Sequence, residues 1–191
     1  MTRFGILMTG YLALGALILP AIVRPAPQLI WNASASVPIG LYAARPVDGL
    51  TVGDLVAAMP PEPLAQLMAG RGYLPLRTPM LKRVAAVTGQ RVCRIGKNIL
   101  IDGSRVAVAQ SRDVDGRALP AWQGCRTLGP DAVLLLNRDA PASFDGRYFG
   151  PISRRSIHAV LTPLWLVGAP RARAKTRPRS TTKGANHDQD R

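Results

Sequence analysis

Apolar and polar positions along this chain change character in stages. Residues 4–23 run without a charge between Arg3 and Arg24. At a rise of ~1.5 Å per residue, a helix of that length spans a ~30 Å hydrocarbon core. Gly5, Gly10 and Gly15 do not forbid it, and Pro20 tilts only the last turn, so the run predicts one N-terminal transmembrane helix. The competing reading is a cleavable signal peptide, with small residues near Ala21 or Ala26 as its processing region. The length of the run and the lack of a clean Ala-x-Ala site favour an uncleaved anchor. Arg3 and Arg24 nearly cancel as orientation signals. Pro25 and Pro27 then stiffen a short connection, and Trp31 suits either a membrane interface or ordinary core packing.

From residue 41 the pattern becomes that of strands. Residues 41–59 alternate short apolar runs with the turns Asp48-Gly49 and Val52-Gly53-Asp54, reading as strands and a hairpin. Residues 60–70 form the one short soluble helix, with Pro61 and Pro63 at its start, Leu64, Leu67 and Met68 on one face and Gly70 to end it. Such a helix is a packing element rather than a lid. Beyond Leu81 the text is almost all β, over 83–87, 91–95, 99–101, 105–109 and 132–136, with turns at Asp102-Gly103 and Asp115-Gly116. A last apolar stretch, 156–167, is broken by Pro163 and carries Trp165, either as a final strand or as a membrane-touching edge, the strand being favoured. Short, closely spaced strands of this kind predict a mainly β fold, a coiled antiparallel sheet or partial barrel. Residues 170–191 hold seven Lys or Arg and no large apolar side chain, and read as a disordered basic tail. The chain thus divides into an anchor or signal segment (1–24), one compact domain (25–168) and the tail (169–191).

Charge narrows the partners. A net charge of +14 favours anionic surfaces, but aromatic residues make up only 5% and no nucleic-acid module is present. A basic chain with an apolar amino-terminal run is more simply read as sitting against anionic membrane lipid, with no nucleic acid expected. Cys93 and Cys125 are the only cysteines. In an exported domain they would be oxidised, closing a loop of about 31 residues that contributes roughly 3 to 4 kcal/mol in the chain-entropy model; in the cytosol they would be reduced core residues. Two cysteines and the histidines His158 and His187 match no metal-ligand spacing, so neither a metal nor a cofactor is implied.

The candidate chemistry lies in Asn32-Ala33-Ser34-Ala35-Ser36-Val37-Pro38-Ile39-Gly40-Leu41-Tyr42. It holds two serines one residue apart, a proline that fixes the backbone after them, and a glycine that can take a positive φ or let a substrate approach closely. A surface turn uses the same residues. Lys82 supplies the second half. The chain has four lysines against twenty-one arginines, and only Lys82 is embedded in an apolar β-like run, Met80-Leu81-Lys82-Arg83-Val84-Ala85-Ala86-Val87. A serine hydroxyl needs a base to become a nucleophile, and a lysine buried among apolar groups loses enough of its charged form to serve. The bland reading is a strand lysine with its stem packed and its head in water. A Ser-His-Asp site using His158 is less favoured than a packed or edge histidine.

Together with Ser143-Phe144-Asp145-Gly146-Arg147-Tyr148-Phe149-Gly150-Pro151, these segments give three ordered motifs, and over residues 30–168 the chain resembles the serine-lysine signal peptidase superfamily, more narrowly its TraF-type conjugative transfer branch. The resemblance implies Ser36 as nucleophile and Lys82 as general base. It implies that the Ser34 hydroxyl joins the Ser36 N–H in an oxyanion hole. Ser143 and Asp145 would support the lysine, Ser143 as the nearer neighbour of the amine, with Arg147 as ion-pair partner of Asp145. Two departures from ordinary signal peptidases stand out: only Val37 separates Ser36 from Pro38, and Gly146 replaces a second serine.

The expected function is a membrane-anchored serine endopeptidase of the bacterial inner membrane, its catalytic domain in the periplasm. Its partners would be a pilin-like or other exported precursor of a conjugation or type IV secretion system and membrane lipid, with hydrolysis and cyclisation both open through an acyl-enzyme. A self-cleaving serine-lysine regulator shares the β-rich core, but it is cytosolic and its helix-turn-helix is missing here. A non-enzymatic periplasmic assembly factor would leave the three motifs unexplained.

Overall fold

The computed structural model describes residues 3–23 and 29–168. The apolar run forms α1 (Arg3–Val23), whose apolar side chains, Phe4, Leu7, Tyr11, Leu12 and Leu14 among them, are exposed. Among the described residues no helix is long and apolar enough to cross a membrane. The expected spanning helix is therefore corrected to an exposed apolar helix. Pro25, Ala26, Pro27 and the expected tail lie outside the described residues.

The remainder is mainly β and antiparallel. In chain order it comprises β1 (Leu29–Asn32), β2 (Gly40–Arg45), β3 (Leu55–Ala58), α2 (Glu62–Gly70), β4 (Met80–Ala86), β5 (Arg91–Ile95), β6 (Asn98–Ile101) and β7 (Ser104–Val108). There follow β8 (Gly124–Thr127), β9 (Ala132–Leu136), the one-turn α3 (Gly146–Phe149), β10 (Ile152–Ser153) and β11 (Ile157–Leu166). One sheet has seven strands in the order β1-β2-β11-β3-β4-β9-β10, and the other has four, β7-β6-β5-β8. Register shifts in β4 and β11 mark irregularities that increase local twist and bend a sheet.

Residues 41–59 form strands as expected but not a hairpin. β11 lies between β2 and β3, with Leu161 opposite Ala44 on one side and Leu55 on the other. The turn residues reverse the chain, but β11 takes the place between the two strands because its alternate residues Ile157, Ala159 and Leu161 are buried there. Gly40 is explained the same way. A Cβ there would sit 2.1 Å from the Trp165 carbonyl oxygen, so the close approach that glycine permits is that of β11, not of a substrate.

β3 is buried along its whole length. Leu55 and Ala57 face a cluster with Tyr42, Leu81 and Leu161, whereas Val56 and Ala58 face Val84, Val133 and Leu135 on the other side. The four-stranded sheet packs Val92, Ile99 and Ile101 against Ala86, Leu134 and Leu136. Cys93 and Cys125 oppose each other across β5 and β8 and are disulfide-bonded. α2 begins two residues later than the sequence suggests, with Pro61 at its cap, and packs Met68, Leu64 and Leu67 with Phe144 and Tyr148. Trp165 lies in the last strand, and its ring sits 5.8 Å from that of Trp31 with both more than half exposed, so Trp31 is not a core residue.

Candidate active site

Asn32 ends β1 and Gly40 begins β2, and the two pair across the ladder, so residues 33–39 form the connecting loop of a hairpin. That loop carries Ser34 and Ser36. Its shape comes from Asn32, which is 5% exposed. The Asn32 Nδ2 donates to the carbonyls of Ser34 (2.9 Å), Val37 (3.1 Å) and Pro38 (3.0 Å). Its Oδ1 accepts from the Ser34 backbone N–H (3.1 Å) and lies 3.0 Å from the Ser34 Oγ. Tyr42 adds a bond from its hydroxyl to the Pro38 carbonyl at 2.6 Å. The two serine hydroxyls are 3.2 Å apart.

Lys82 lies in β4, opposite Val56 of β3, and is 5% exposed. Beyond the end of β9, Asn137 clamps the backbone on both sides of it. Its Nδ2 donates to the Leu81 carbonyl and its Oδ1 accepts from the Arg83 N–H, each at 3.1 Å. Lys82 Nζ donates to Ser143 Oγ at 2.7 Å. Burial lowers the Lys82 pKa to about 8 from an ordinary 10.5; the Asp145 carboxylate pulls it back up and the Arg147 charge presses it down, but desolvation dominates. No hydrogen bond joins Lys82 to Ser36: the amine bonds Ser143, and the Ser36 hydroxyl bonds Ser34.

Two turns, Ala140 N–H to Asn137 O and Ser143 N–H to Ala140 O, carry the chain from β9 to Ser143. Arg147 reaches back into these turns. Its guanidinium donates to the carbonyls of Asn137 (2.9 Å), Ala140 (2.8 Å) and Pro141 (3.2 Å). Asp145 is 0% exposed and pairs with Arg147 at 2.7 Å. Its remaining capacity is filled by the backbone N–H groups of Asn137 (3.0 Å) and Arg147 (3.1 Å), the second capping α3. Arg94, also buried, ties the four-stranded sheet to this knot with a 2.5 Å bond to the Arg147 carbonyl. The Asp145 carboxylate is therefore saturated by Arg147 and the backbone.

Gly146 is required sterically. A Cβ would lie 2.7 Å from both the Leu135 carbonyl oxygen and a Leu134 methyl, and the backbone oxygen cannot move aside cheaply. Serine is excluded here by β9 packing close against α3.

Ser34, Ser36, Lys82 and Ser143 open together onto a cleft of about 650 Å³, walled largely by apolar side chains such as Met68, Leu74 and Phe144, with Thr78, Gln110 and Asp113 also lining it. The arrangement puts a hydroxyl pair and a lysine of lowered pKa in one partly apolar cleft, the components of acyl transfer without histidine. His158 is exposed on β11 and does not line it. The sequence alone points to no role for Asn32, Asn137 or Arg94. For Asn32 a local signal existed, since an Asn two residues before a serine forms an Asx-turn; for Asn137 and Arg94, whose partners are distant in the chain, there was none.

The family model described as signal peptidase, peptidase S26, matches residues 1–165. A plasmid transfer protein TraF of Escherichia coli is 34% identical over 179 residues, 86% of this chain and 98% of the relative. A conjugal transfer protein TraF of Agrobacterium fabrum is 34% identical over 147 residues, 70% and 80% respectively. A probable conjugal transfer protein TraF of Sinorhizobium fredii is 35% identical over 136 residues, 66% and 71%. Among solved structures, a signal peptidase I from Enterococcus faecalis matches with a TM-score of 0.36 at 17% identity, over 61% of this chain and 99% of its own. With its three motifs in order and a family match running into β11, the chain belongs to the signal peptidase S26 family, in its TraF-type conjugative transfer branch.

Proposed function

We propose that this protein is a membrane-anchored serine endopeptidase that processes an exported precursor, in which Ser36 is the nucleophile and Lys82 the general base. The observation that carries the reading is the buried Lys82 amine, its pKa lowered to about 8, in one cleft with Ser36 and Ser34. A neutral amine takes the Ser36 proton as Oγ bonds to the scissile carbonyl carbon. The Ser36 N–H and the Ser34 hydroxyl stabilise the oxyanion, the C–N bond breaks, and the Lys82 ammonium returns the proton to the leaving amine. The Ser36 hydroxyl turns from Ser34 toward Lys82 when substrate fills the cleft; catalytic hydrogen bonds commonly tighten only then. Ser143 holds the amine, and Asp145 with Arg147 holds the segment that carries Ser143.

A substrate from a conjugative transfer apparatus is supported by the relatives, which are named as conjugal or plasmid transfer proteins. A pilin-like precursor is the proposed partner, with the acyl-enzyme released by water or, where the substrate's own amino terminus reaches it, by that amine to give a cyclic product. Anchoring in the bacterial inner membrane, with the domain in the periplasm, is supported by the exposed apolar side chains of α1 and by a disulfide that suits an oxidising compartment. The exposed pair Trp31 and Trp165, ring against ring, suits the lipid interface.

Purified protein in lipid, incubated with a conjugative pilin precursor, should release the terminal peptide, and Ser36→Ala and Lys82→Arg should each abolish release while the protein stays folded. Arginine keeps the charge but does not deprotonate at ordinary pH. Processing by either folded variant would remove the dyad.

A further inference from the structure

Hydrogen-bond chemistry in the serine loop fixes a direction that distances alone leave open. Three carbonyl oxygens surround one terminal atom of the Asn32 amide, those of Ser34, Val37 and Pro38, and carbonyls only accept. That atom is therefore the nitrogen. The other faces the Ser34 backbone N–H, which only donates, and is therefore the oxygen. The Ser34 hydroxyl, 3.0 Å from this oxygen, has one proton and must spend it there. Across the 3.2 Å contact between the two hydroxyls, the Ser36 hydroxyl is then the donor.

We propose that Asn32 is a positioning residue for the nucleophile: it imposes the order Ser36 to Ser34 to Asn32 on the hydroxyl hydrogen bonds and holds the loop in the shape that presents both serines to the cleft. This rests on the Ser36 and Lys82 reading above. In the resting enzyme the Ser34 proton is kept on Asn32 and the Ser36 proton on Ser34, so neither hydroxyl is committed to the lysine or to solvent. When an oxyanion forms, the Ser34 hydroxyl exchanges a neutral acceptor, the Asn32 oxygen, for a charged one. Hydrogen bonds to an ionised partner are roughly twice as strong, so the exchange favours the transition state over the resting state. Asn32 keeps its bond from the Ser34 backbone N–H throughout and the loop does not have to move.

The test compares kcat, KM and thermal melting of the full chain in lipid for wild type, Ser36→Ala, Asn32→Ala, Asn32→Asp, Ser34→Ala and the Asn32→Ala/Ser34→Ala double variant, all on one precursor peptide. Asn32→Ala should lower kcat on the order of a hundredfold, the scale of losing one oxyanion donor, with KM within about threefold. The double variant should lose less than the product of its two single losses, because both act through the Ser34 hydroxyl. Asn32→Asp keeps the acceptor toward Ser34 and loses the three carbonyl contacts, and it should also lose kcat rather than KM. A folded Asn32→Ala or Asn32→Asp protein with near wild-type kcat would overturn the proposal, as would strict multiplication of the losses. Failure of both variants to fold would overturn it too, since Asn32 would then serve the fold and not the site. An inactive wild type, or an active Ser36→Ala, would instead refute the enzyme reading itself.

Discussion

The Lys82 amine bonds the Ser143 hydroxyl at 2.7 Å and leaves Asp145, two residues further along, to Arg147. This division keeps the carboxylate out of direct contact with the proposed base. A carboxylate in direct contact with the amine would hold it in the charged form; a hydroxyl fixes its position without that bias. Desolvation therefore prevails, and the lysine stands near 8.

kcat/KM for a precursor peptide should consequently rise with pH and level off above about 8. The sign follows from the proposed role: the active form would be the neutral amine, which increases as pH passes upward through the lowered pKa, with about a tenth already neutral at pH 7. A pH-rate series on the free enzyme checks this. A limb near 10 would mean that Lys82 is solvated in the working enzyme.

Asp145→Asn should impair activity chiefly by loosening the turns that carry Ser143. Arg147, 2% exposed, would be left without its countercharge, a loss on the order of 3 to 5 kcal/mol in stability. Because Asp145 raises the Lys82 pKa, the basic limb should move down, and only modestly. Denaturant melts alongside the pH-rate series separate the two effects. A drop of about two pH units or more in the limb would make Asp145 a direct partner of Lys82.

Gly146→Ser should destabilise the domain by about 1 to 3 kcal/mol, because its Cβ would meet the Leu135 carbonyl at 2.7 Å. Processing should fall with it, since α3 follows the Asp145 cap directly. Melting temperature reports the first effect and turnover at low temperature the second. Unchanged melting would show that β9 and α3 can separate without cost.

Protein recovered from the cell envelope should label with a thiol reagent only after reduction, at Cys93 and Cys125. Reduction should cost roughly 3 to 4 kcal/mol by chain entropy, read as a lower midpoint in urea. Two thiols that label freely before reduction would place the domain in a reducing compartment.

What the sequence by itself determined was local. The serine loop could be read because its shape depends on neighbours: Asn32 bonds residues two to six positions on, and Pro38 fixes the backbone within the same turn. The strands β5 and β9 could be bounded to the residue from their apolar runs, and the cysteine pair followed from there being only two. β1, β8 and β10, of four, four and two residues, were too short to stand out from the loops around them. Tertiary structure decided everything that depends on distant segments. No pattern in residues 40–58 shows that a strand from residues 157–166 will lie between β2 and β3, because that choice is made by burial of Ile157, Ala159 and Leu161. The apolar neighbours of Lys82 showed that it could be buried. That it is buried, flanked by Asn137 and held by a serine 61 residues away, depends on β3, β9 and the turns before α3 meeting around it. Desolvation is a property of that enclosure, so the lowered pKa on which the proposed chemistry depends exists only in the folded chain.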